Sequence, residues 1–247
     1  MGRRQLRFDA GFTHPFSMDL RGSLEEMTNS TNNTIGIANL WSISIWFKSA
    51  DPGASIASLF TLKNTGNAND QIFLGTDSAD DDYIISLRDS GGTRFKVYHY
   101  TSSLINWNHF VHTWDGTDLR TWNNGVEVIL SGFPAKEVDD PGTMSTTTRR
   151  VSFCGDLASL STKGNFIVHS AALWDVALTQ AEITALYNNG IGHRFHVPSV
   201  QPSALKHWWL LGTPGNIGFD NVASGSIDVN TNSVNVTEAD DQIADVP

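Results

Sequence analysis

Acidic side chains bring this sequence nearest to catalytic chemistry. Retaining glycoside hydrolysis needs two carboxylates about 5–5.5 Å apart. In "EVDDPG", Glu137 and Asp139 are two apart, but Pro141 and Gly142 follow where a further acid on the same strand would be needed. A proline there would also interrupt a central strand. With the general acid missing, the chain reads as a protein that is not an enzyme. No Gly-x-Ser-x-Gly elbow, phosphate-cradling loop with lysine or His-Glu-x-x-His helix offers another reaction.

Metal chemistry has one locus. In "DQIFLGTDSADDDY", Asp70, Asp77, Asp80, Asp81 and Asp82 could bring several hard oxygens to a loop rim. Calcium, with about six to eight oxygen ligands, is the cation such a rim would take. The spacing is not that of an EF-hand, and a solvated acidic loop is the plainer reading, so no cofactor and no metal ligand is assigned. His109 and His112 would turn to opposite faces of a strand, which argues against a shared metal. His193 and His196 read as surface histidines. What remains is recognition: Tyr98, Tyr100 and Trp107 fall near a rim, where an aromatic face can stack on a sugar while Asn and Asp side chains take its hydroxyls.

The frame that must position these residues is set by length and composition. With 247 residues, 40% of them hydrophobic, the chain can bury one large β domain or two small ones. Its net charge of -10 repels a phosphate backbone, so nucleic acid is not an expected partner. Apolar runs such as "LWSISIWF" fall far short of the roughly 20 residues of a membrane helix, and no membrane partner is expected. Cys154 is the single cysteine, which excludes an internal disulfide and a thiolate zinc site and points to a reducing compartment. The start "MGRRQLRFDAGFTHPF" lacks the apolar stretch of a secretory signal, and Leu6 stands where a myristoylation signal needs Ser or Thr. Arg3, Arg4 and Arg7 read as a solvated arm or as one that docks on an acidic partner; the sequons at Asn29, Asn32 and Asn235 read as chance.

Alternation is the dominant local pattern. In "WSISIWFK", Trp41, Ile43, Ile45 and Phe47 share one face while Ser42, Ser44, Trp46 and Lys48 share the other, as in a sheet with one core side. In "WNHFVHTWDGTDLRTWNNGVEV", Asp115-Gly116 and Asn124-Gly125 mark two turns, read as type I′, and so a three-strand meander. The segment "LTQAEITALYNNGIG" predicts one short helix: Thr179 and Glu182 have capping-box spacing, Ile183, Leu186 and Tyr187 share a face, and Asn189-Gly190 is a stop. Such a helix should lie on the sandwich as a lid. Composition divides the chain into an arm over 1–16, a domain over 17–195 and an extension over 196–247 with a strand-like tail.

Three blocks in this order, "SISIWFK", "INWNHFVHTWDGTDLRTWNNGVEV" and "NFIVHSAALWDVALTQAEITALYNNG", resemble the laminin G-like group of concanavalin A-like lectin/glucanase folds over roughly residues 17 to 192. The resemblance implies an all-β jelly-roll sandwich of two antiparallel sheets with one short helix. His169 stands where relatives often have an acid, which puts in doubt any site built on that acid, and the Glu-x-Asp-x-x-Glu strand that the resemblance to glucanases of this fold implies is not met at Glu137 and Asp139, where Pro141 and Gly142 replace the second Glu. The block "LKHWWLLG" looks like the family's first-strand motif displaced to the C-terminal side, an arrangement resembling laminin G-like proteins encoded by bacteriophages. It implies a non-enzymatic virion component, a capsid decoration or fibre assembled in a host cytoplasm. Its partners would be other virion proteins or copies of itself. The alternative is a lectin-like module of a cell-surface or extracellular protein that binds polysaccharide.

Overall fold

A computed structural model describes residues 17–20, 26–29, 33–37, 39–49, 57–64, 67–76, 82–88, 94–100, 104–128, 148–155, 165–187, 199–211, 220, 229 and 242–243. The arm, the "EVDDPG" acids Glu137 and Asp139, the loop acids Asp77, Asp80 and Asp81, His193, His196, Asn32, Asn235 and the Asn189-Gly190 stop lie outside the described residues.

Two antiparallel sheets face each other. The larger carries β1 (Ser17–Leu20), β4 (Trp41–Ser49), β9 (Asn108–Trp114), β10 (Leu119–Asn123), β11 (Val126–Glu127), β13 (Phe166–Trp174), β14 (Leu205–Leu210) and β15 (Gln242–Ile243). Its order is β11-β10-β9-β4-β13-β1-β15, with β14 also paired to β13. The smaller carries β2 (Met27–Thr28), β3 (Asn33–Thr34), β5 (Ala57–Asn64), β6 (Asn67–Thr76), β7 (Asp82–Arg88), β8 (Arg94–Tyr100) and β12 (Thr148–Phe153). These run β2-β12-β5-β6-β7-β8, and β3 joins β12.

Between the sheets lies the apolar face that alternation predicts. Trp41, Ile43, Ile45 and Phe47 of β4 join Phe60, Leu62, Ile72, Leu74, Ile85, Val151 and Phe153 in one buried cluster. The opposite face of β4 departs from the expectation of a sheet with one core side. Ser42, Ser44 and Trp46 are buried as well, because α1 (Gln180–Tyr187) and the chain around it cover that side. Ser42 sits under this cover with both hydrogen-bonding roles filled: its hydroxyl donates to the Val176 carbonyl at 2.7 Å and accepts from the Leu178 N–H at 2.9 Å. A second cluster, including Val111, Trp122, Trp174, Ile183, Leu186 and Trp208, fills the space between helix and sheet. Among the described residues, no helix is long and apolar enough to cross a membrane.

The helix begins as its sequence predicts. Glu182 accepts from the Thr179 N–H at 2.7 Å, and the Glu182 N–H donates to Thr179 Oγ1 at 3.4 Å, the two halves of a capping box. Burial raises the Glu182 pKa, but hydrogen bonds from the Thr179 backbone and the Gln201 and Thr179 side chains outweigh it and hold the carboxyl below its ordinary range.

The two turns differ. Asn124 and Gly125 both have positive φ, 52° and 78°, as a type I′ turn requires. At the other turn only Gly116 does, with φ 91°. Asp115 instead accepts from the N–H groups of Thr117 and Asp118 at 2.9 and 2.7 Å, so its side chain shapes a longer loop.

Beyond residue 195, where composition shifts, the described chain enters the same sheet. β13 pairs with β1 over Phe166–Val168 and with β14 over Ser170–Trp174. The register to β4 shifts between Val168 and Ser170, which makes His169 the bulged residue. Trp209 and Val229 belong to the inter-sheet core.

Candidate ligand-binding surface

Trp107 stands where β9 begins, and strand register explains its surroundings. Phe47 pairs with Asn108 and Trp46 with His109. Side chains two apart on a strand share a face, so Trp46 and Lys48 on β4, and Trp107 and His109 leading into β9, all lie on the face away from the inter-sheet core. They form two rows.

The inner row is aromatic, with Trp46 and His109 buried. Trp46 and His109 rings stack at 4.8 Å, and Tyr187, at the end of α1, lies nearly parallel to both at 5.9 and 6.1 Å. The hairpin tip closes on this row. His109 N–H donates to Asn124 Oδ1 at 2.9 Å, and a Cβ on Gly125 would come within 3.0 Å of the Tyr187 ring. Gln180 ties helix to hairpin by accepting from Trp122 Nε1 at 2.7 Å and donating to the Gly125 carbonyl at 2.8 Å.

Burial pushes the His109 pKa from 6.5 down to about 3, so the ring, 2.8 Å from Ser44 Oγ, is neutral at physiological pH. The unfolded chain takes up this proton near pH 6.5 and the folded chain only near 3. The corresponding stability is therefore present above about pH 6.5 and is lost as pH falls toward about 3. At about pH 5 the loss is roughly 2 kcal/mol. Combining Ser44→Ala with His109→Phe removes both polar partners and keeps a ring. Its urea midpoint should fall less steeply than that of the native chain between pH 7 and about pH 5; parallel profiles would contradict this account of His109.

The outer row is half-open. Trp107 is half-buried, with Asn106 and Ile105 exposed beside it. Lys48 Nζ lies over the Trp107 ring at 5.4 Å from its centroid, and the buried His169 ring meets Trp107 edge-on at 6.3 Å. Asn108 Nδ2 donates to the Asn106 carbonyl at 2.7 Å and fixes the turn into the strand. The arrangement sets an indole with a cation over its face beside one exposed amide side chain, that of Asn106, and in front of an aromatic row, a geometry that can stack on a ring and hydrogen-bond its substituents.

The sequence-predicted aromatics do not assemble here together. Tyr98 and Tyr100 lie on β8, at the edge of the smaller sheet, in register with Ile84 and Asp82. Only Trp107 belongs to the larger sheet's surface. Lys48, Asn106, His169 and Tyr187 were not singled out in the sequence as site residues. The acids also separate: Asp82 opens β7, whereas Asp70 precedes Gln71, which pairs with Arg88 at that strand's other end. Six residues of strand put about 20 Å between them, so one ion does not take both. His109 and His112 face opposite sides, as expected. His112 Nε2 is 3.1 Å from the Tyr83 hydroxyl and its Nδ1 is 2.9 Å from Thr121 Oγ1, inside the core.

A family model described as the concanavalin A-like lectin/glucanases superfamily matches residues 25–184, more than half of the chain. The chain belongs to that superfamily. The superfamily's fold recurs in a native heptameric SAP-like pentraxin from Limulus polyphemus, 14% identical, with TM-score 0.51 over 70% of this chain and 82% of that one. Two further similar structures are the CBM40 of Ruminococcus gnavus IT-sialidase bound to alpha2,3 sialyllactose and domains LG4-5 of the mouse laminin alpha1 chain. The first is 14% identical, with TM-score 0.46 over 67% of this chain and 100% of that one. The second is 8% identical, with TM-score 0.47 over 69% and 44%. At these identities the likeness is one of fold. No curated protein matches the chain. The superfamily assignment and the two-sheet architecture agree with the laminin G-like resemblance read from the three sequence blocks.

Proposed function

We propose that this chain is a non-enzymatic carbohydrate-binding module that holds a saccharide against Trp107. The observation that carries the reading is the half-open indole of Trp107, with Lys48 over its ring and Asn106 exposed beside it. An indole face takes the C–H side of a sugar ring, and neighbouring amides take hydroxyls. Membership of a superfamily described by lectins and glucanases supports the same reading.

The test is a glycan array on the full chain, with and without calcium, followed by titration of whatever binds. Saturable binding is expected, and Trp107→Ala should weaken it at least about tenfold, as removal of a central aromatic anchor does. Silence across the array, or an unchanged affinity in the variant, would overturn the assignment. A calcium requirement would show that an ion takes part in binding.

A second reading places the module on a virus particle, as a capsid decoration or fibre. The observation that favours it is the lone cysteine: Cys154 is the single cysteine of the sequence and is buried in a fold of recognition type, a combination that suits a chain assembled in a reducing cytoplasm. A stable homo-oligomer that binds no glycan would favour this reading, and a sugar-binding monomer would remove it.

A further inference from the structure

Among the described residues, the edges of both sheets are short, with one exception. The larger sheet ends in β11 on one side and β15 on the other, and the smaller sheet begins with β2, with β3 beside it on β12; each of these strands has two residues. Strands that brief offer few unpaired backbone groups, which is how soluble β proteins keep sheets from joining edge to edge. β14 is longer, but its side away from β13 meets Asp220 through a bridge at Trp209. β8 closes the smaller sheet with seven residues, all paired to β7, and among the described residues no strand pairs with its other side. Its sequence, "RFKVYHY", is rich in the aromatic and β-branched residues that suit a strand.

The order of residues along β8 says which partner this edge fits. Backbone groups point alternately to the two sides of a strand, and antiparallel neighbours bond only where both point inward. When two copies of one strand meet about a two-fold axis, each residue therefore faces itself or one an even number of places away. Centred on Val97, all of β8 pairs: Arg94 with Tyr100, Phe95 with His99 and Lys96 with Tyr98. Each basic residue then stands opposite a tyrosine, and a cation beside an aromatic ring is a favourable contact. Centred on Lys96, that lysine would face its own copy, and like charges directly opposite destabilise a sheet. Centred on Tyr98, the overlap is shorter and Arg94 loses its partner. The strand is basic in its first half and tyrosine-bearing in its second, so it complements itself in one alignment. We propose that β8 is the surface through which two copies of this chain join, antiparallel and centred on Val97, so that their smaller sheets run on as one. A two-fold axis uses each edge once, so association stops at the dimer. The mutual repulsion of two chains at -10 is screened at physiological salt. Dimerisation of this kind is independent of whether Trp107 holds a sugar.

Sedimentation velocity of the full chain at rising concentration should show monomer giving way to dimer and to nothing larger. Tyr98→Lys sets a lysine opposite Lys96 on both sides of the axis and should leave a monomer. Adding Lys96→Glu to Tyr98→Lys puts opposite charges face to face and should bring the dimer back. Crosslinking reads the alignment. Val97→Cys should link two chains under mild oxidation, because residue 97 faces its own copy within disulfide reach. His99→Cys should not, because its two copies are offset along the strands by about 14 Å. Thermal melts check that the variants fold, and if Tyr98→Lys does not, the two cysteine variants still decide. A monomer at every concentration, a dimer that Tyr98→Lys leaves intact, or a link through residue 99 in place of 97 would overturn the assignment.

Discussion

Asp220→Ala should lower folding stability by about 3–5 kcal/mol, read as a shift in urea midpoint at unchanged slope. Asp220 is buried, and both carboxylate oxygens are engaged. Oδ2 lies 2.7 Å from His207 Nδ1, and Oδ1 accepts from the Trp208 N–H at 3.0 Å. The other ring nitrogen of His207 lies 3.1 Å from the Ile35 carbonyl oxygen, which can only accept. Removing the carboxylate strands a buried imidazole and a buried backbone donor together, and burial leaves no water to replace it. Asp220→Asn should be much milder. Its amide oxygen can keep the Trp208 N–H, while its amide nitrogen donates to Nδ1 of a neutral ring whose Nε2–H still reaches Ile35. Equal losses from the two substitutions would show that the charge pairing is not what matters at this site.

Trp174→Ala should be of similar size, about 3–5 kcal/mol, for a different reason. Trp174 is fully buried and its indole N–H donates to the Val200 carbonyl at 2.9 Å. It lies in the cluster that seats α1, among Ala172, Leu178, Ile183 and Leu186. Truncation leaves a cavity under the helix and an orphaned carbonyl on the segment that follows it. The loss should therefore be local before it is global: amide exchange in Gln180–Tyr187 should accelerate more than exchange in β5 or β6. Uniform acceleration would mean that the helix has no independent looseness to reveal.

The features legible in the sequence were those decided over a few residues. Alternation in "WSISIWFK" separates the core face of β4 from the other, since a strand's period is two. Asn124-Gly125 and the Thr179/Glu182 box work through their own backbone geometry, so both appear as read. Asp115 was harder, because its carboxylate satisfies N–H groups ahead of it and replaces the turn that Gly116 alone suggests. Burial of the far face of β4 was hidden, since covering it takes a helix more than a hundred residues away in the chain. The candidate surface was half legible for the same reason. Trp107 stood out as an aromatic near a rim, and Lys48 was on the correct face of its strand. Their meeting depends on the β4/β9 register, which no local pattern encodes. The Asp220–His207–Ile35 bridge joins three segments and left no trace in any single one.

The double use of β13 has a consequence for synthesis on the ribosome. Its first half pairs with β1, made well before it, and its second half with β14, made after it. Until residues 205–210 emerge, the nascent sheet carries an open hydrogen-bonding edge beside Ala171 and Leu173, both core residues. The interval between making the helix and making β14 is thus when the growing polypeptide is most exposed to pairing with a neighbouring copy on the same message.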